Sequence, residues 1–213
     1  MSTGLFTNEV STRGAPFGVH RPGVAEPALI RGSLFQSLPS FVKAHFGERR
    51  WEEFLGRVDP VAADAYRNEM EALKWYPFMV IASATDAMVA MSTEGTRDAT
   101  LKKFATHNLD RATNLIFRAI FKIGSPEFMV SKSDQVWKKY YSTGRMTVDS
   151  VAKGQASVRL YDFPEITRHY TRVVLFAIEA TIIKAGGRPS RCEVTHDIHS
   201  GDEFTEFSYT WTI

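Results

Sequence analysis

The sequence has few of the features that mark secreted, membrane or disulfide-rich proteins. One cysteine in 213 residues allows no internal disulfide, so we expect a reducing, cytoplasmic compartment. The longest apolar run, VVLFAI before Glu179, is far shorter than the ~20 residues of a transmembrane helix. The N-terminus lacks the basic and apolar regions of a signal peptide. We therefore expect a soluble protein with no transmembrane segment.

Charge imbalance and catalytic motifs are also absent. Twenty-six basic and 24 acidic residues give a net charge of +2, so we expect no nucleic-acid partner. No Gly-x-Ser-x-Gly elbow, phosphate-binding loop or dinucleotide glycine motif occurs. The lone Cys192 and scattered histidines lack paired metal-ligand spacings. We predict no catalytic residue and no metal site, and hence a protein that is not an enzyme.

What is present is a globular composition, with 44% hydrophobic and 12% aromatic residues. Residues 1–27 are the exception, because they are rich in Gly, Pro, Ser and Thr and have no sustained periodicity. We predict a flexible N-terminal arm over 1–27 and a single ligand-binding-like domain over 28–213. Helical spacing dominates this domain as far as Gly144, with its longest predicted helix over 96–123 and a further helix over 126–141.

After Gly144 the hydrophobic period changes from helical to alternating. Residues 145–163 read as a β-hairpin that turns at Lys153-Gly154, and 191–213 read as a second hairpin. Between them lies a strongly apolar helix that ends at Gly186. We predict an α+β fold in which an N-terminal helical layer packs on a four-stranded, mostly antiparallel sheet, formed by two hairpins flanking the apolar helix.

Two polar features of this C-terminal part are ambiguous. Strand alternation places Cys192 and His196 on one face, where they would fill the core or contribute to a metal site together with the turn residues. Glu179 interrupts the apolar helix, and it shares a narrow polar strip with Arg168 and Arg172. We interpret Glu179 as a satisfied edge residue; the alternative is a buried functional acid.

One face of the predicted 96–123 helix is basic. Together with Asn114, its basic members recur every three or four residues and are Lys103, His107, Arg111, Arg118 and Lys122. This basic face is a candidate site for an anionic partner, and the alternative is an ordinary solvated face.

Aromatic residues occur on several elements that we expect to converge. Most belong to the core, but so many rings would also leave room for a small apolar ligand. The candidate pocket residues are Phe117, Phe121, Trp137, Tyr161, Phe163 and Trp211.

Two stretches carry a resemblance to a known superfamily. GSLFQSLPSFVKAHFGERRWEEFL (32–55) is similar to the start of haem-nitric-oxide-binding domains, and GQASVRLYDFPEI with RCEVTHDIHSGDEFTEFSYTW is similar to their end. The chain also resembles 4-vinyl reductase and TRAPP vesicle-tethering domains. Within this group it most resembles an uncharacterised paralogous family of myxobacteria, through Trp137, Gly144 and Trp211.

The resemblance implies a sensory domain, and it raises the question of haem. Haem-binding members place a histidine on the helix before the first hairpin and a Tyr-x-Ser-x-Arg motif on the strand. Here Tyr161 matches, but Phe163 replaces the serine and Glu165 replaces the arginine, and a carboxylate would repel the propionates. His107, the histidine nearest that helix, falls on the solvent side. We therefore expect no cofactor, haem included.

The resemblance thus favours a non-enzymatic sensory or adaptor domain in bacterial signalling. Its relatives imply a small apolar ligand or a protein partner, and they imply a homodimer. The alternative is a pure protein-interaction module with a filled core.

Overall fold

The architecture is the α+β arrangement that the sequence predicts. The structure is a computed structural model, and it describes residues 27–112, 121 and 124–213. The predicted arm up to residue 26, and the candidates Phe117, Arg118 and Lys122, lie outside the described residues.

The helical layer begins with a short ribbon. Strands β1 (Leu29–Arg31) and β2 (Trp75–Pro77) pair antiparallel, with Ile30 opposite Tyr76. The sequence did not indicate this ribbon, because three residues are too few to display an alternating pattern. The helices of this layer are α1 (Leu38–Phe46), α2 (Trp51–Leu55), α3 (Pro60–Arg67), α4 (Phe78–Met91) and α5 (Arg97–Ala112).

Two short helices then lead into the sheet. The single helix predicted over 126–141 is wrong, because α6 (Pro126–Val130) ends in a turn before α7 (Ser133–Tyr140) begins. The hydroxyl of Ser125 caps α6 by accepting the Phe128 N–H at 3.2 Å.

Both predicted hairpins are confirmed, and they form one antiparallel sheet. Its strands are β3 (Arg145–Ala152), β4 (Gln155–Tyr161), β5 (Arg188–His196) and β6 (Thr205–Thr212), in the order β3-β4-β6-β5. The apolar helix α8 (Arg168–Lys184) covers one face, where Phe207 and Tyr209 of β6 are buried. The Tyr209 hydroxyl donates to the Leu175 carbonyl of α8 at 3.1 Å, which ties the helix to the central strand.

A bulge in β5 overturns the predicted alternation of the last hairpin. Val194 lies opposite Phe207, but the register shifts before His196, which lies opposite Glu206. Because neighbouring residues of a strand face opposite sides, His196 does not share the core face with Cys192. The prediction that these two side chains converge is wrong.

Two members of the predicted polar strip of α8, Arg172 and Glu179, form ion pairs with α5, whereas the third, Arg168, donates to the His199 carbonyl. Arg172 pairs with Asp98, and Lys184 pairs with Asp110. Glu179 is only 7% exposed, and its Oε1 accepts from the Lys102 ammonium at 2.7 Å. The interpretation of Glu179 as an edge residue is therefore wrong: it is a buried carboxylate with one cationic partner.

Gly144 provides a first test of the packing in front of the sheet. It has φ +79°, and an added Cβ would lie 3.0 Å from the Phe163 Cβ and 3.1 Å from the Trp137 Nε1. We expect Gly144→Ala to lower the free energy of unfolding by about 2–3 kcal/mol, from backbone strain plus overpacking. Gly47→Ala is the control, since Gly47 has φ +98° and open space around it. Urea unfolding of both variants measures the difference, and equal losses would refute the packing constraint at Gly144.

Glu127 of α6 provides a second test, because it joins this helix to the turn of the first hairpin. Its Oε1 accepts the Gly154 N–H at 3.1 Å. Burial acts to raise the pKa of Glu127, but the hydrogen bonds prevail and the net direction is downward. A lowered folded pKa stabilises the protein above the unfolded pKa, and this contribution is lost as pH falls through the folded pKa.

We therefore expect wild type to exceed Glu127→Gln in the free energy of unfolding at pH 7. The difference should shrink as pH falls into the acidic range. Glu193→Gln, the same substitution on the edge strand β5, is the control for the loss of a carboxylate away from the hairpin turn. Urea unfolding at several pH values measures this, and a pH-independent difference would contradict the linkage.

Candidate functional site

The most continuous feature of the interior is a line of packed aromatic rings, here called the aromatic seam. It joins α1 and α5 to α8 and α7, and its members are Phe41, Phe104, Phe35, Tyr170, Phe78, Phe163, Trp137 and Tyr141. Successive centroids are separated by distances from 3.8 Å, for Trp137 and Tyr141, to 6.2 Å, for Phe35 and Tyr170. These are the separations of aromatic pairs in contact, so the rings themselves fill the space along the seam.

Two tyrosines give the seam its polar point. The hydroxyls of Tyr141 and Tyr170 lie 2.6 Å apart. Burial raises the pKa of both phenols well above the usual value, so both stay neutral. Each hydroxyl thus meets its hydrogen-bonding need inside an apolar surrounding.

The sequence-predicted pocket residues do not gather at one place. Trp137 and Phe163 belong to the seam, with centroids 5.4 Å apart. Trp211 is buried elsewhere, within 3.1 Å of the position where a Cβ on Gly187 would lie. Phe121 is also buried.

Tyr161 lies on the opposite, outer face of the sheet. Its ring contacts Phe204 at 5.1 Å, and the Arg145 guanidinium stacks over it at 4.2 Å. Between Tyr161 and Phe163, Asp162 adopts φ 57°, and the two aromatic side chains end on different sides. The strand ends at Tyr161, so the alternation of its side chains could not predict the direction of Phe163 beyond the turn.

Sequence reasoning missed the residues that connect the seam. Tyr170 contacts Phe35 and Phe78, and at 2% exposure it is among the most buried aromatics. Tyr170 and Phe78 lie on buried faces of α8 and α4, and Phe35 lies in the turn before α1; only core packing was expected of them. For Tyr170 and Phe78 the available signal was an aromatic residue at a buried helical position; for the turn residue Phe35 helical spacing offered none.

Two cavities lie beside the segment that leads into α1, next to Arg111 of α5 and close to Phe35 of the seam. The smaller has a volume of about 250 Å³ and the larger about 470 Å³. Gln36, Ser37 and Arg111 line both, so the cavities adjoin. Asn108 holds this edge in place, since its amide donates to the Leu34 carbonyl and its oxygen accepts from Ser37.

The basic face is not uniformly solvated. Lys103 and Arg111 are exposed, but His107 is half-buried, with its ring 5.6 Å from Phe41 and its Nε2 3.1 Å from the Ser40 Oγ. Burial, with the nearby Arg111, lowers the pKa of His107, so its imidazole is neutral near pH 7. His107 therefore lies at the margin of the basic face, partly exposed and partly packed against Phe41.

The C-terminal hairpin does not assemble a metal site within the part of the chain that the structure describes, where no three potential ligands converge. Burial and the Glu179 carboxylate raise the pKa of the Cys192 thiol to about 12. A thiol with so high a pKa is an inert core group near neutral pH.

Comparison with known proteins identifies the fold. No family model and no curated protein matches the chain. Among solved structures, the Fe(II) unliganded H-NOX protein from K. algicida matches with a TM-score of 0.62 at 13% identity, over 86% of this chain and 97% of that chain. The H-NOX protein from S. oneidensis in the Fe(II)NO state matches with a TM-score of 0.62 at 14% identity, over 86% of this chain and 100% of that chain.

This chain has the H-NOX-like fold. An NMR structure of the H-NOX domain from Shewanella oneidensis in the Fe(II)CO state agrees, with a TM-score of 0.60 at 12% identity over 86% of this chain and 99% of that one. The resemblance of the sequence to haem-nitric-oxide-binding domains is thereby confirmed at the level of the fold. No helix in the described ranges is long and apolar enough to cross a membrane.

The expectation that the protein takes no cofactor is contradicted by these neighbours. They were determined in Fe(II), Fe(II)NO and Fe(II)CO states, and another concerns haem distortion in the same family. The expectation depended on one motif and on a solvent-facing His107. That histidine is half-buried against Phe41.

The side chains that would suit a haem can be tested against this structure. Helix α7 carries Trp137 and no histidine, and Glu165 accepts the Ala28 N–H at 3.0 Å. A neutral imidazole is present on α5, at His107, and the Arg111 guanidinium follows one helical turn later. The donor types that hold iron and carboxylates are thus on α5, away from the positions of the motif.

Phe163 tests the seam. We expect Phe163→Ser to lower the free energy of unfolding by about 3–5 kcal/mol, because a buried ring in contact with Phe78 and Trp137 is removed. Tyr161→Ser, two residues away on the outer face, should cost only about 1 kcal/mol. Urea unfolding measures both, and similar losses for the two variants would argue against the seam as the core of the fold.

Proposed function

We propose that this protein is a non-enzymatic sensory domain that binds a small ligand and passes its occupancy to a protein partner in bacterial signalling. The observation that carries the proposal is the pair of adjoining cavities at one end of the aromatic seam, in a fold shared with H-NOX proteins. Residues 28–213 would form this domain. Membership of the myxobacterial family, a cytoplasmic location and a homodimer are further parts of the proposal.

The position of the ligand follows from packing. Rings in mutual contact leave the seam itself closed, whereas Phe35 belongs both to the seam and to the wall of the larger cavity. A ligand in this cavity would therefore contact the ring that leads to Tyr170 and α8. Occupancy would reach the sheet through packed side chains, which favours a sensory role over a passive store.

Haem is the first ligand to consider at this end of the seam. Arg111, which lines both cavities, would supply the cation for a carboxylate. His107, one turn earlier on α5, would supply the donor to iron only after its Nε2 leaves the Ser40 Oγ. When bound, haem would supply an iron centre able to take a diatomic gas. His107 lines neither cavity, whereas its partner Ser40 lines the larger one.

A second function, that of a protein-interaction module without a ligand, is favoured by the closed seam. The ring contacts from Phe41 to Trp137 are complete without any added molecule. Such a module would use its surface alone.

The full chain, expressed with a haem precursor and purified under native conditions, distinguishes these functions. We expect native mass spectrometry to show one bound small molecule per chain, because the two cavities adjoin and would together form one site. A Soret absorbance band would identify the molecule as haem, and a different mass would identify another ligand. The unliganded mass alone, with no uptake of added haem, would refute ligand binding and favour the interaction module.

Two histidine variants provide the matched control. If the molecule is haem, His107→Ala should reduce its occupancy several-fold. His169→Ala should not, because His169 is bonded to Asp86 on the other side of α8. Equal loss in both variants would contradict the assignment of His107.

A further inference from the structure

The chain segment 28–31, here called the strap, is held on both of its edges. On one edge it pairs with β2, and the Phe78 N–H donates to the Ala28 carbonyl at 2.7 Å. On the other edge the Leu29 N–H donates to the Ser142 hydroxyl at 2.8 Å, and the Leu29 carbonyl accepts the Ser142 N–H at 3.0 Å. The strap therefore joins the helical layer to the chain that leads into β3.

The strap is also bonded to the chain that leaves the first hairpin. Glu165, four residues beyond the end of β4, accepts the Ala28 N–H at 3.0 Å. Ser142 lies three residues before β3 begins, so the strap holds the chain at both ends of the hairpin. Ala28 and Ile30 are buried, and buried backbone groups have to stay paired. The strap cannot shift while the base of the hairpin stays in place.

In the other direction the chain runs from the strap straight to the edge of the smaller cavity. Gly32 alone separates the strap from residues 33–34 and 36–37, which line that cavity. Gly32 is closely packed, because an added Cβ would clash with the Glu71 carbonyl oxygen and lie 2.8 Å from the Tyr76 ring. A displacement of 33–37 is therefore not absorbed by a sideways movement of Gly32, and it is passed to the strap.

The chain on the far side of the strap leads to the same cavity. Tyr141 forms an isolated antiparallel bridge with Ile30, and the preceding residue, Tyr140, lines the smaller cavity. Two walls of this cavity are thus continuous with the two chains that meet at the strap. A change in the separation of these walls acts on the bonds between the strap and residues 141–142.

We propose that the strap couples the cavity edge at 33–37 to the base of the β3–β4 hairpin, so that loosening of either one loosens the other. The proposal rests on the sensory function proposed above and gives it a route through backbone hydrogen bonds, separate from the ring contacts of the seam. It assigns the hairpin that includes β3, at one edge of the sheet, as the element that responds to the cavity.

Hydrogen exchange of the full chain, measured on peptides by mass spectrometry, tests the coupling from the side of the hairpin. Ser142→Ala removes the acceptor of the Leu29 N–H. We expect exchange at 33–37 to rise about two- to tenfold, because one hydrogen bond fewer holds the strap. Ser150→Ala, at an exposed serine of β3, is the control and should leave exchange at 33–37 unchanged.

Asn108→Ala tests the coupling from the side of the cavity, because a coupling between two sites is reciprocal. The Asn108 amide donates to the Leu34 carbonyl, and its oxygen accepts from Ser37. We expect a similar rise in exchange at 28–31 and 142–146. Thr106→Ala is the control on the same helix, since the Thr106 hydroxyl bonds within α5.

The double variant Ser142→Ala with Asn108→Ala tests whether the strap carries the effect. The two rises should not multiply, because a strap that is already released transmits little more. Exchange at 205–212, in the central strand β6, is the internal reference and should stay at the wild-type rate. A rise confined to the segment that each altered side chain touches, an equal rise at 205–212, or fully multiplying effects would each refute the coupling.

The exchange experiment contains no ligand, so its outcome is independent of the native mass spectrum. Coupled segments in a protein that binds no small molecule would refute the sensory function and support the strap alone. A bound molecule in a protein with uncoupled segments would refute the strap and support the sensory function alone.

Discussion

The fold depends on the packing of Tyr170, where three parts of the chain meet. Its ring contacts Phe35 of the N-terminal segment and Phe78 at the start of α4, and its hydroxyl bonds to Tyr141 just after α7. An aromatic pair adds about 0.5–1.5 kcal/mol beyond the burial of its area. Since Tyr170 lies on α8, the helix that covers the sheet, this one side chain fixes the helical layer to the sheet.

The ion pairs along α8 contribute little to the free energy of unfolding, but they connect α8 to α5. The pairs of Arg172 with Asp98 and of Lys184 with Asp110 lie at the surface, where such pairs contribute about 0–1 kcal/mol each. Glu179 differs because it is buried, and loss of Lys102 would leave it without its cation. These pairs link α5 to α8 at three positions. Farther along α5, Asn108 bonds to Leu34 and Ser37, in the segment before α1 that lines the cavities.

The sequence predicts well whatever depends on local periodicity. The two hairpins and α8 were correct, because alternation and helical spacing extend over seven or more residues in each. The ribbon of β1 and β2 could not be predicted, since its pairing joins residues more than 40 positions apart in three-residue strands. The bulge before His196 was missed because a pattern assumes that alternation continues. The cavities are also non-local, as they depend on how α1 meets α5.

In this chain, the residues at positions 163 and 165, where haem-binding relatives carry a ligand motif, are explained by packing and hydrogen bonding. At two positions of the haem motif, this chain places Phe163, which fills the seam between Phe78 and Trp137, and Glu165, which accepts the Ala28 N–H. The packing of Phe163 and the hydrogen bond of Glu165 therefore explain these two residue types without reference to a ligand. They describe how the interior next to β4 is filled, whereas the two cavities lie near Phe35, at a different part of the seam. The packing at 163 and 165 and the cavities near Phe35 therefore depend on different contacts, and neither determines the other.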